Sequence, residues 1–374
     1  MQPLATNAEQ RLRQIDQARQ AVLRDNRPLS GLLPESWIER SWRRCLQNGI
    51  RPDQPVSFDL IPAQALRRTE EANHTLLTAA RPILDKLGRA VADTRYFAIL
   101  TNAEGVVVDV NGPINRRDRR ADVISRIGVD LSEAKVGTTA IGAALTELQP
   151  VWLHRGEHFF DANSAYSCAG APLLGPDGRC VGMLDLTGIE ATERPELKHL
   201  VMHSARSIEN ALTLNQKHFL TVRITWPGHN LDEDTDGLVC LDADGWVTGA
   251  NSAARQMIPH LMVSGTGRIH SSDLFAMSYE LLFAGAQHRR TDGPSPLDVP
   301  LWSGLRLHAV TSRTDSPHEL TRKGLGFSAP LPLKETETAL IRQAVAQAKG
   351  NVMKAALALG ISRATVYRKL GNKK

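Results

Sequence analysis

Apolar residues along this chain recur three to four apart in some stretches and alternate in others, and the two rhythms divide it into helical and strand-rich blocks. Leu12, Ile15, Ala18 and Val22 predict a helix from Ala8 to about Leu23, and Pro34 and Asn48-Gly49 bracket a second from Glu35 to Gln47. Between Ala72 and Asp93, Leu76, Leu77, Ala80, Ile83, Leu84, Leu87 and Val91 again keep helical spacing. Strand patterns follow at Tyr96 to Thr101 and Val106 to Val110, joined by the hairpin signal Asn102-Ala-Glu-Gly105. A helix fits Thr138 to Leu148. Strands fit Val151 to Leu153, Ala169 to Leu174 and Arg179 to Leu186, the last two joined by Gly175-Pro-Asp-Gly178. An amphipathic helix from Pro195 to about Gln216 closes the block.

A smaller block opens at Asp236. Strands at Gly237 to Leu241 and Trp246 to Thr248 flank Asp242-Ala-Asp-Gly245, Asn251 caps a helix from Ser252 to about Ile258, and further strands fit Leu297 to Leu301 and Leu305 to Thr311. Residues Ser312 to Pro332, rich in Pro and Gly, read as a linker. The helical rhythm then returns in Leu340, Ile341, Ala344, Val345 and Ala348, in Val352, Ala355, Ala356, Leu359 and Ile361, and in Val366 and Leu370. The pattern predicts an α+β multidomain protein: antiparallel-sheet domains of sensor size joined by long helices, ending in an all-α module.

Charge sharpens the picture of that tail. The chain carries 45 Lys/Arg and 40 Asp/Glu, and Lys334 to Lys374 alone hold nine and two of them, so the whole basic excess sits in the last 41 residues. Gly350-Asn351 ends the tail's first helix, Ala358-Leu-Gly-Ile361 forms a short turn, and Ser362 caps the third helix, Arg363 to Leu370. Two short helices around a Gly-containing turn are a helix-turn-helix signature. Val366 and Leu370 turn to the core, leaving Ser362, Arg363, Thr365, Arg368 and Lys369 on or near the outer face. Arg363 is the candidate base contact, because a guanidinium can bond guanine in bidentate fashion. Asn351, Thr365, Arg368 and Lys369 are candidate phosphate anchors, and Tyr367 either packs at the edge or touches backbone.

The run from Gly350 to Leu370, above all Gly-Ile-Ser-Arg-Ala-Thr-Val-Tyr-Arg-Lys-Leu, closely resembles the Fis-type helix-turn-helix that ends many bacterial transcription regulators. That resemblance implies a double-stranded DNA partner, a dimer formed with help from the helix Glu337 to Lys349, and insertion of Arg363 to Leu370 into the major groove. Met353 departs from the family, which usually has a polar or basic residue there.

Residues Asn102 to Leu212 resemble the GAF sensor domain of regulators similar to the acetoin and dihydroxyacetone catabolism activators. The residues carrying the likeness are Asn111-Gly112, Gly137-Thr-Thr-Ala-Ile-Gly142, Gly156-Glu-His-Phe159, Cys168-Ala-Gly-Ala-Pro-Leu173 and Gly182-Met-Leu-Asp-Leu-Thr-Gly188, with Glu39 to Cys45 upstream. The resemblance implies a small-molecule effector of unknown identity held near Asn111, Thr138, Thr139, His158, Phe159, Cys168 and Asp185, with Thr139 standing where Asn is more usual. Asp236 to Ile258 resembles the start of a PAS domain, often a dimer contact. The resulting division is 1–75 N-terminal helical, 76–218 GAF, 230–312 PAS-like, 313–333 linker and 334–374 helix-turn-helix.

Several chemistries are absent. There is no Gly-Lys pair and so no P-loop, although regulators of this kind usually carry a central ATPase acting on the sigma-54 polymerase. There is no Gly-x-Ser-x-Gly and no His-Glu-x-x-His. Four cysteines without Cys-x-x-Cys spacing argue against a disulfide framework or structural zinc. His154, Glu157, His158 and Cys168 are metal-capable types, but their spacing matches no compact site. No catalytic residue, metal or cofactor is assigned. Around Trp37 to Arg44, cations interleave with aromatics, for which packing of both tryptophans with snorkelling arginines is a simpler account than nucleic acid. No apolar stretch would span a bilayer, and the start lacks a signal peptide's pattern, so a cytoplasmic location is expected.

The expectation is a one-component transcription factor, a homodimer sensing an effector and acting with RNA polymerase without ATP hydrolysis. The rivals are a thiol enzyme similar to methionine-sulfoxide reductases, which would need Cys168 beside Cys180, and a sensory adaptor of a separate ATPase regulator.

Overall fold

A computed structural model places residues 7–25, 27, 36–229, 231, 235–262, 268–287, 296–313 and 352–353. The chain divides into two units, Met1–Pro317 and His318–Lys374. The linker beyond Arg313 and the predicted DNA contacts Asn351, Ser362, Arg363, Thr365, Tyr367, Arg368 and Lys369 lie outside the described residues.

The first unit opens with α1 (Asn7–Arg19), which runs on through a π-helical turn, Gln20–Arg24. Three of the four predicted stripe residues, Ile15, Ala18 and Val22, are out of solvent, whereas Leu12 is exposed. In α2 (Ser36–Gln47), Trp37, Ile38, Trp42 and Cys45 are buried, while Arg44 pairs with Glu133 and Glu147 and Arg40 with Glu147. The interleaved aromatics and cations of α2 therefore serve packing and ion pairing. Helix α3 (Ala63–Ala72) buries no side chain fully, which is why apolar rhythm does not mark it. It leads into α4 (His74–Ala90), whose buried face is Leu76, Ala80, Ile83, Leu84 and Leu87.

The first sheet is antiparallel, in the order β2-β1-β5-β4-β3. It comprises β1 (Tyr96–Asn102), β2 (Val107–Asn111), β3 (Val151–His154), β4 (Tyr166–Leu174) and β5 (Cys180–Ile189). Between β2 and β3 run the short helices α5 (Arg119–Ile124), α6 (Glu133–Val136) and α7 (Ala140–Glu147). Period-two alternation sends Phe97, Ile99, Cys168 and Met183 into a cluster with α2 and α7. The residues between them, among them Ala98, Leu100, Ala169, Leu184 and Leu186, turn to the other face, which α4 and α8 (Leu197–Leu214) cover. With helices on both sides, β5 is buried almost end to end.

The second sheet is also antiparallel, β8-β7-β6-β10-β9. Its elements are β6 (Leu220–Thr225), β7 (Gly237–Leu241), β8 (Val247–Ala250), α9 (Ser252–Met257), α10 (Ser271–Leu274), α11 (Tyr279–Gln287), β9 (Leu297–Pro300) and β10 (Arg306–Arg313). Its central strand β6 lies upstream of Asp236, where the sequence reading places no strand. The two predicted hairpins share one turn chemistry. Asn102 Oδ1 accepts from Glu104 N and Val106 N, Asp242 Oδ1 accepts from Asp244 N and Trp246 N, and Gly105 and Gly245 supply positive φ.

A polar junction joins the sheets. Asn251 Oδ1 accepts from Ala254 N, capping α9 as expected, and from Leu238 N, while its amide donates to Asn210 Oδ1 and Asp236 O. Glu209 on α8 accepts from Leu174 N and the Ser252 hydroxyl. Arg255 and Ala250 N both donate to Pro176 O, so the β4–β5 turn is fastened to the second sheet.

Candidate functional site

The candidate site is a cavity of about 30 Å³ on the α2/α7 side of the first sheet. Ile99, Cys168, Asp185 and Thr187 form its floor, and Val136, Thr139, His158 and Asn163 contribute to its roof. Thr187 follows Asp185 by two residues, as Cys168 follows Tyr166, so strand alternation aims each pair at the same face.

A chain of hydrogen bonds fixes the floor. Burial pushes the Cys168 thiol well above its ordinary range, with the Asp185 charge adding to the effect, so the thiol keeps its proton. Its sulfur lies 3.3 Å from Thr187 Oγ1, which donates to Asp185 Oδ2. That direction leaves Cys168 as the donor to Thr187. Asp185 is fully buried, and desolvation pushes its carboxyl up to about 7 against the pull of the Thr187 hydrogen bond. With Oδ2 accepting from Thr187, the proton of the neutral acid belongs on Oδ1, which has no partner.

In the roof, His158 Nδ1 lies 2.8 Å from Arg155 O. A carbonyl only accepts, so Nδ1 carries the proton and Nε2 is a bare acceptor in the neutral ring. Burial, with Arg19's charge as a lesser cause, pushes the imidazole down to about 4. Asn163 donates to Val136 O at 3.3 Å, leaving Oδ1 without a partner, as is His158 Nε2. The cavity is therefore bordered by two bare acceptors and one carboxyl oxygen that can donate. Buried unpaired polar atoms cost about 1–3 kcal/mol each, so three around one cavity call for a ligand or water.

Of the seven effector residues expected from sequence, Thr139, His158, Cys168 and Asp185 border this cavity. Thr139 also caps α7, its hydroxyl accepting from Gly142 N. The other three lie elsewhere. Thr138 bonds through its hydroxyl to Ser41 on α2, Phe159 is in the core edge-on to Phe160, and Asn111 donates to Asp85 on α4. Gly137 turns the chain between these groups at φ +67, where a Cβ would meet Phe159 and Phe160 at 3.0 Å. Asn163, Tyr166 and Thr187 escape the sequence reading. The step of two from Cys168 and Asp185 was a usable signal for Tyr166 and Thr187, but Asn163 sits in an irregular turn that carries none.

The thiol-enzyme rival loses its geometry. All four cysteines are free, Cys168 pairs across the ladder with Thr187 and Cys180 with Leu174, six residues further along β4, or roughly 20 Å away at strand rise. Two thiols that far apart cannot act as nucleophile and resolving partner. No helix among the described residues is long and apolar enough to cross a membrane.

Residues 332–372 match the bacterial regulatory protein Fis family, a helix-turn-helix at the C-terminal end. The acetoin catabolism regulatory protein of Cupriavidus necator is 29% identical over 233 residues, 59% of this chain and 34% of that protein. The propane 2-monooxygenase operon transcriptional activator MimR of Mycolicibacterium goodii is 29% identical over 183 residues, 48% of this chain and 30% of that one. The alignments thus span about a third of these relatives' own length. A crystal structure of the E. coli DhaR(N)–DhaL complex aligns with 74% of this chain and 99% of that chain, at 15% identity and a TM-score of 0.45. These relatives are named as regulators and not as enzymes. Residues 17–210, more than half of the 374, match the MimR N-terminal domain, and the chain belongs to that family.

Proposed function

We propose that this protein is a DNA-binding transcriptional regulator of the one-component kind, in which a GAF-type domain built on the first sheet binds a small effector and a dimer of C-terminal modules reads duplex DNA. The second sheet is the PAS-like domain of this scheme. The regulator acts with RNA polymerase and without ATP hydrolysis, consistent with the absence of any Gly-Lys pair. Its DNA-binding half rests on the Fis-family match over 332–372.

The observation that carries the sensing half is the set of unpaired atoms, His158 Nε2, Asn163 Oδ1 and Asp185 Oδ1, on residues that line one cavity. Two acceptors and one acidic hydroxyl suit a small uncharged compound that offers hydrogen-bond donors beside an acceptor, as an α-hydroxyketone or a vicinal diol does. The Cupriavidus relative is named for acetoin catabolism, and acetoin is such a compound. A charged ligand is disfavoured, because burial works against charge at this site, keeping His158 neutral and raising the Asp185 carboxyl to about 7.

A thermal-shift screen of small hydroxy and keto compounds, with carboxylates of equal size as controls, tests the proposal. A ligand at a hundredfold its Kd adds about 2.7 kcal/mol of stability, a readily measured rise in Tm. The rise should vanish in Asp185→Asn or Asn163→Ala. Shifts with carboxylates alone, or shifts indifferent to those substitutions, would contradict it.

A further inference from the structure

A space of about 30 Å³ holds roughly two water molecules, so any organic effector requires a wall of the cavity to move. The floor is poorly suited to that. Strands β4 and β5 are hydrogen-bonded to neighbours on both sides. The roof segment Arg155–Asn163 is different: it consists of two single 3-10 turns and carries two of the three unpaired atoms. It begins with Arg155 at φ +49, a left-handed conformation that strains a residue with a Cβ.

Four successive carbonyls of this segment are satisfied from the N-terminal helices. Arg19 donates to Gly156 O at 2.7 Å, His158 O at 2.6 Å and Phe159 O at 3.0 Å, and Trp42 Nε1 donates to Glu157 O at 2.9 Å. Arg19 also pairs with Asp161, and its guanidinium lies 5.8 Å from the Trp42 ring centroid. Arg11 reaches the buried Glu157 carboxylate at 2.9 Å. Gly156 allows the close approach, since a Cβ there would meet Ile15 at 3.0 Å and Arg19 at 3.2 Å. The remaining backbone ties outside the segment are fewer, Phe159 N to Thr138 O at 3.3 Å and Asp161 N to Pro52 O at 2.9 Å.

We infer that Arg19 is a positioning residue for the cavity: it bolts the Arg155–Asn163 segment, and His158 with it, to helix α1, so that α1 must loosen before an effector can enter. The inference rests on the effector reading of the cavity, but its test needs no effector. By linkage, occupancy of the cavity and docking of α1 then influence one another, which makes the N-terminal helix a readout of the sensor.

The test uses the full chain with 15N-labelled histidine and hydrogen exchange followed by mass spectrometry. In the wild type, the His158 ring holds its proton on Nδ1 and stays neutral down to about pH 5. In Arg19→Ala it titrates near an ordinary histidine value, loses its single tautomer, and the amides of 155–163 exchange at least tenfold faster. Arg19→Lys keeps the charge without the fork that spans several carbonyls, so it should resemble the alanine variant in both readouts. Trp42→Phe removes one bond and should raise exchange of 157–159 by a smaller factor, which keeps the question open to measurement should Arg19→Ala not fold. A merely structural Arg19 would lower Tm while leaving His158 titration and segment exchange as in the wild type, and that result overturns the inference, as does unchanged exchange in Trp42→Phe.

Discussion

Asp185 and His158 face one small space with opposite responses to pH. A carboxyl whose folded pKa is raised from 3.8 to about 7 holds its proton more tightly in the native state, so its contribution is fully present below about pH 4 and drains away as pH rises to about 7. A shift of that size in a fully buried group corresponds to about 4 kcal/mol. Glu157, raised to about 7 by burial despite Arg11, works in the same sense. His154 and His158, each lowered from 6.5 to about 4 by burial, contribute stability above pH 6.5 that is lost as pH falls through 4. The two pairs oppose each other across the same window. Asp185→Asn removes one falling contribution, so unfolding free energies from urea titrations at pH 4.5 to 7 should gain a few kcal/mol across the window relative to the wild-type profile. An unchanged pH profile would show that Asp185 ionises freely. At this scale the sequence was informative where residue type and alternation coincide, as at Cys168 and Asp185, and silent where a turn aims the side chain, as at Asn163.

Among the elements, helix ends and strand alternation were the readable features, because caps and buried stripes are local. Asn251 was legible as a cap from its place before Ser-Ala-Ala, yet its bonds to Leu238 N, Asn210 and Asp236 O come from three other segments and leave no local trace. Asn251→Ala should therefore cost more than the ~1 kcal/mol of an ordinary cap, about 2–4 kcal/mol, since several buried partners lose a bond together. Chemical denaturation measures it, and a loss below about 1 kcal/mol would mean that the junction reorganises around the gap. Strand β6 was missed although Leu220, Val222 and Ile224 are buried at every second position. Its alternation follows the long helix α8 closely and includes the polar Thr221, Arg223 and Thr225, so hydropathy alone left it among connecting residues. Its place at the centre of the second sheet is a matter of topology, which nearest-neighbour pattern does not encode.

For the whole molecule, the account joins a sensing unit with a cavity to a C-terminal module whose net charge of nine bases against two acids suits a polyanion. Counterion release makes phosphate contacts measurable through salt, with a slope of about −0.9 in log K against log salt for each phosphate neutralised. On the proposed reading, Arg368 and Lys369 from the two copies of a dimer would neutralise roughly four phosphates, and the expected slope is near −4. Arg363, as a base reader, should lose discrimination between sequences by about 1–3 kcal/mol when replaced by alanine, with the salt slope little changed.

The most direct measurement is fluorescence anisotropy of the full chain on a duplex obtained by selection from random sequence, titrated from 50 to 300 mM salt and repeated with Arg363→Ala and with Arg368→Ala/Lys369→Ala. The account predicts sequence-selective binding that weakens steeply with salt, loses selectivity in the first variant and loses slope in the second. Binding that ignores salt, shows no sequence preference, or is untouched by all three substitutions would contradict it.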